Sequence, residues 1–244
     1  MRRSSTHIST RVFSLPTGAL ALLVLLGLSA CSNVGLSARS TVQIDWVNFV
    51  RFGGITYVAA AERVGRLPTD ADLGPVFATV HFRLDDNVHD PNYQPKDGDA
   101  AHLDAGTPVY TVQGYAPTFR LIALFAGRLT LYEADTNPHA TIGADLLDIG
   151  GKVRYIGINS EQDGTTELGA VKDPAQVAAL VAMVLAAHVD QSFQEHNSST
   201  YFIAFHLDDG TAVTRAYWLS SGELARGLLL PAPFGATIQA ALRA

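Results

Sequence analysis

Phe49-Val50-Arg51-Phe52-Gly53-Gly54-Ile55-Thr56-Tyr57-Val58 has the pattern of a β-hairpin. Two runs of β-branched and aromatic residues flank a Gly-Gly pair, and tight hairpins demand the positive φ angles that glycine takes without steric cost. The same design recurs twice further along. Phe119 to Phe125 and Leu129 to Glu133 face each other across Gly127-Arg128, and Tyr201 to Leu207 and Thr211 to Leu219 across Asp208-Asp209-Gly210. Val76 to Leu84 alternates strictly: Val76, Ala78, Val80, Phe82 and Leu84 form one apolar face, as a half-buried strand requires. Pro108 to Val112 and Lys152 to Ile158 read as further strands.

Helical signals are confined to the C-terminal third. Asp173-Pro174-Ala175-Gln176 places a capping carboxylate, a proline suited to the first turn and a Gln at capping-box spacing. Val177, Leu180, Val181, Val184 and Leu185 then recur at helical spacing and make one buried stripe. Pro233 to Leu242 reads as a closing helix with Ile238 and Leu242 inward. Hairpins without regular β-α-β alternation predict an α+β fold, mainly antiparallel, with two short-to-medium helices.

The first 30 residues belong to a different category. Arg2, Arg3 and Arg11 precede the apolar run Gly18 to Leu28, and no Asp or Glu occurs before Asp45. A cationic start, a short apolar core and small residues at its end make an export signal. Its last residues, Leu28-Ser29-Ala30-Cys31, resemble the lipobox of bacterial lipoproteins. That resemblance implies cleavage between Ala30 and Cys31 and a diacylglycerol joined to the Cys31 thiol. A thioether needs a soft, readily ionised nucleophile, which serine cannot supply. Cys31 is also the only cysteine of the chain, and lipidation accounts for it. Residues 31–41, small and polar, then form a tether reaching at most about 35 Å. Residues 42–244 remain for a single α+β domain, and a subdivision, if there is one, is expected near residue 172.

Charge narrows the partners. Removing the signal takes away three arginines and no acid, so the formal net charge moves from −6 to −9. An acidic domain repels phosphate backbones and anionic headgroups, which excludes nucleic acid and leaves the bilayer held through acyl chains. The expected location is outside the cytoplasm, anchored to the cell membrane or outer membrane.

Catalytic motifs do not appear. No serine has the flanking glycines of a nucleophile elbow, Leu146 and Val153 break a phosphate-loop reading around Gly150-Gly151-Lys152, and no His-Glu-x-x-His occurs. The most informative segment is the long loop Asp85 to Gly106, because loops of that length in a compact domain are often functional. Asp85, Asp86, Asp90, Asp97 and Asp99 make it a candidate ligand loop. Calcium is the metal such hard oxygen donors take, while Asp and Asn are also good turn formers. Glu133 and Asp135 form a nearby carboxylate pair. The aromatics Tyr201, Phe202, Phe205, Tyr217 and Trp218, with Trp46 and Tyr57, serve either a ligand face or the core.

Asp97-Gly98-Asp99-Ala100 followed by Gly106-Thr107-Pro108-Val109-Tyr110 is similar to a pattern in uncharacterised bacterial lipoproteins, and it brings no activity with it. Three readings of the domain follow: a non-catalytic module that binds a ligand or envelope partner, an envelope hydrolase with a site assembled from separated Asp, Glu and His, and a structural envelope component.

Overall fold

The computed structural model describes residues 44–60, 65–190, 192 and 201–243. The export signal, Ala30, Cys31 and the tether lie outside the described residues. Val42–Ala244 forms one compact unit, built mainly of antiparallel strands, with two helices among the described residues, an α+β fold. Among the described residues no helix is long and apolar enough to cross a membrane.

The first hairpin is β1 (Phe49–Phe52) and β2 (Ile55–Ala59), with Phe52 opposite Ile55. Gly53 and Gly54 take φ angles of 59° and 76°, the positive values that the turn requires. Around this hairpin a first sheet assembles from β3 (Leu73–Thr79), β4 (Phe82–Arg83), β5 (Asp99–Ala100), β6 (Pro108–Val112), β7 (Arg120–Phe125) and β8 (Arg128–Thr136). Its order is β3-β6-β7-β8-β2-β1-β5-β4.

The two ends of that order are consecutive in the chain. Only Val80 and His81 separate β3 from β4, so the two sheet edges cannot be more than about 11 Å apart at that point. The sheet therefore rolls into a barrel, closed by one long strand that changes partner midway. Val80 is bonded to the β6 side (N to Thr107 O, 2.9 Å), and His81 to the β5 side (N to Gly98 O, 2.8 Å). Val50, Phe52, Tyr57, Leu121, Ala123 and Tyr132 fill the inside.

That change of partner corrects the strict alternation expected over Val76 to Leu84. Val76 is 56% exposed and Phe82 38% exposed. The β3–β6 register slips between Leu73 and Val76 and again between Val76 and Ala78, and each slip turns side chains to the other face. Past the switch, Leu84 packs with Phe49 and Val88 outside the barrel, whereas Val80 packs inside.

The chain crosses to a second sheet between Thr136 and Val153, upstream of residue 172. This sheet runs β10 (Glu167–Val171), β9 (Val153–Ser160), β11 (Tyr201–Leu207), β12 (Ala212–Trp218), β13 (Glu223–Leu224) and β14 (Leu228–Leu229), all antiparallel. Helices α1 (Pro174–Ala186) and α2 (Ala232–Ala241) cover one face. Asp173 caps α1 by accepting the Gln176 amide at 2.9 Å. Val177, Leu180, Val181 and Val184 of α1, with Phe234 and Ile238 of α2, pack on Ile156, Ile158, Ile203 and Phe205. Each such side chain contributes on the order of 1.5–3 kcal/mol on burial. Leu185 and Leu242, expected inward, are only partly buried.

Candidate functional site

The five candidate carboxylates of the loop Asp85 to Gly106 are distributed rather than gathered. Arg83 takes Asp85 at 3.2 Å, Asp86 at 3.4 Å and Asp104 at 3.1 Å. Asp90 closes a turn by accepting the Asn92 amide at 2.9 Å. Asp97 accepts the Gly54 amide at 2.9 Å and so braces the first hairpin. Asp99 is buried and accepts from the Tyr93 hydroxyl at 2.9 Å and the Lys96 amide at 2.7 Å. Among the described residues no three His, Cys, Asp or Glu side chains gather as metal ligands.

Backbone sterics explain Asp97-Gly98-Asp99-Ala100. Gly98 has φ +92°, its amide donates to Arg51 O at 2.8 Å, and a Cβ there would overlap the His81 ring. The stretch is the seam that closes the barrel, through β5 pairing with both β1 and β4.

The loop leaves one open groove of about 430 Å³ on its flank, lined by Arg83, Asp85, His102, Asp104, Leu124 and Phe125. Its two walls differ in character. Leu124 is 54% exposed, while His102 lies between Asp85 (Nδ1 to Oδ2, 3.3 Å) and the Trp46 carbonyl (Nε2 to O, 3.0 Å). Arg83 and His102 hold the Asp85 carboxyl below its usual range. Charged groups already paired with one another beside an exposed leucine suit recognition of a mixed polar and apolar ligand.

Most of the aromatic set belongs to the core. Tyr57, Phe205, Tyr217 and Trp218 are buried, and Trp46 packs edge-on to Phe49 at 6.2 Å. Tyr201 and Phe202 are half-buried.

Glu133 and Asp135 do not face one another as an acid–base pair. Asp135 is bonded to Arg226, and Glu133 belongs to a buried network joining the two sheets. Arg120, wholly buried, donates to Glu133 Oε1 from Nη2 at 2.6 Å and Nε at 3.1 Å. It also donates to Thr211 Oγ1 at 2.9 Å and Ala212 O at 3.1 Å. Arg215 donates to Glu133 Oε2 at 2.9 Å. The Arg120 guanidinium lies 4.9 Å and 5.0 Å from the Phe119 and Tyr115 ring centres. Tyr115 donates to Asp209 at 2.8 Å, and Asp209 accepts the Thr211 amide and hydroxyl. No local motif marks this network, because its members are up to 100 residues apart, from Tyr115 to Arg215. The available signal was an arginine inside the apolar run Phe119 to Phe125, set opposite Glu133 by hairpin register.

Burial pushes the Glu133 carboxyl up, but Arg120 and Arg215 more than reverse this and leave it below its ordinary value of 4.5. For Asp209, burial acts upward and the bonds from Thr211 and Tyr115 bring it below 3.8. Carboxyls depressed in the folded state bind fewer protons there than when unfolded, so stability rises with pH through that window. The network's contribution is therefore present above the ordinary carboxylate values and is lost as pH falls through the folded ones. Melting temperature measured against pH should drop as acid is added below about 4.5, and Glu133→Gln should flatten that drop. A wild-type profile level down to pH 2.5 would contradict this assignment.

Compared with known proteins, the chain matches no family, no curated protein and no solved structure.

Proposed function

We propose that this protein is a cell-envelope lipoprotein, anchored through acylated Cys31, whose domain is a non-catalytic module for a ligand or protein partner. The lipobox-like Leu28-Ser29-Ala30-Cys31 carries the reading. It unites a lone cysteine, an acid-free cationic start and a short tether ahead of the folded unit. The groove beside Arg83 and Leu124 supports the binding role, because its carboxylates are held by an arginine instead of standing poised for proton transfer. A mature charge of −9 keeps the domain off anionic headgroups, so attachment rests on the acyl chains.

Cys31→Ser tests the anchor. The variant should move from the membrane fraction to the soluble fraction or remain as uncleaved precursor, without incorporating labelled fatty acid. A wild-type chain that takes no label and a variant equally retained in membranes would overturn the proposal.

A further inference from the structure

The second sheet presents polar chemistry on the face turned away from α1. Along β9, Ile156 and Ile158 enter the helix-side core, so Tyr155, Gly157 and Asn159 alternate onto the opposite face. Gly157 leaves a gap there, and three polar atoms from three strands border it. The point a Cβ on Gly157 would occupy is 3.0 Å from Glu167 Oε2, 3.2 Å from His206 Nε2 and 3.3 Å from Asn159 Oδ1. Glu167 comes from β10 and His206 from β11, flanking β9 on either side.

Asn159 gives the gap a direction. Its Nδ2 donates to the Gly164 carbonyl at 3.0 Å, and a carbonyl only accepts, so the amide orientation is fixed. The oxygen is thereby left facing the gap. Asn159 is 7% exposed, and its Oδ1 has no hydrogen-bond partner among the described residues. A buried amide oxygen without a donor is unfavourable, and a cation or donor placed there would offset that cost.

We propose that Asn159, Glu167 and His206 bind a divalent transition-metal ion of the zinc class over Gly157. An imidazole nitrogen beside a carboxylate and an amide oxygen matches the borderline character of zinc, whereas calcium and magnesium take oxygen alone. Zinc needs donors at about 2.0–2.2 Å. Glu167 is exposed and His206 half-buried, so both have room for the shift of about 1 Å that closing on an ion requires. His206 stacks on Tyr155 at 4.1 Å and 5°, which holds its ring plane.

Calorimetric titration of zinc into the chelator-treated full-length chain in detergent tests the site. One ion should bind per chain. His206→Ala and Asn159→Ala should each weaken binding by about tenfold or more, while His89→Ala, at an exposed histidine elsewhere, should leave it unchanged. If either ligand variant fails to fold, Gly157→Ala decides, since its methyl group fills the gap and should also weaken binding. No binding by the wild type at high-micromolar zinc would overturn the proposal, as would affinity unaltered in any one of the three site variants.

Discussion

Glu133→Ala is expected to lose about 3–5 kcal/mol of stability, because it leaves buried charge without its partner. In a domain of this size that corresponds to a fall of roughly 6–20 °C in melting temperature. Glu133 is bonded to both Arg120 and Arg215, and Arg120 has no exposed side-chain surface. Its removal strands one guanidinium wholly inside the protein and a second with 15% side-chain exposure. The network lies between the barrel and the second sheet, so the loss should be felt as weakened docking of β7 and β8 on β12. Arg120→Met combined with Glu133→Leu should cost less than the two single changes added together, since it removes both halves of the closest pair. Urea unfolding of the four proteins measures this directly. A Glu133→Ala loss below about 1 kcal/mol would show that the network contributes little to holding the sheets together.

Gly143→Ala is the second large effect. Gly143 lies in the turn Gly143–Asp145 that passes beneath the end of α1, and its amide donates to Ala187 O at 2.9 Å. A Cβ at this position would overlap the Val184 carbonyl oxygen, with the Leu185 Cα 3.2 Å away. These are backbone atoms of a packed helix and cannot swing aside as a side chain would. The helix must therefore shift, and overpacking of this kind costs about 1–3 kcal/mol or more. The φ at Gly143 is not in the left-handed region, so the penalty comes from contact and not from the turn itself. Serine should be as damaging as alanine, whereas Gly127→Ala, where no atom lies within 4 Å, pays only the strain of its positive φ. Equal stability of Gly143→Ala and wild type would contradict the close approach of turn and helix.

The hairpins and α1 were legible because their signals are local. Gly53-Gly54, Asp208-Asp209-Gly210 and Asp173-Pro174 each act through the backbone of a few neighbouring residues. Barrel closure was not legible, because it depends on one strand exchanging β6 for β5 at Val80-His81, with β5 only two residues long. Glu167–Val171 was hidden by its own composition. It is a short edge strand containing Gly169, with little alternation to mark it. Oxygen ligands for hard cations do cluster in acidic loops such as Asp85 to Gly106. What the sequence could not display was Arg83, which draws three of the nearby aspartates to itself. The Asn159, Glu167 and His206 constellation is invisible for a further reason: its members meet only through the register of β10, β9 and β11.

Mass spectrometry of the N-terminal peptide of membrane-extracted protein reads out anchoring through Cys31. The peptide should begin at Cys31 and carry the mass of a diacylglyceryl group on its sulfur. An N-terminus upstream of Cys31 with an unmodified thiol would contradict it.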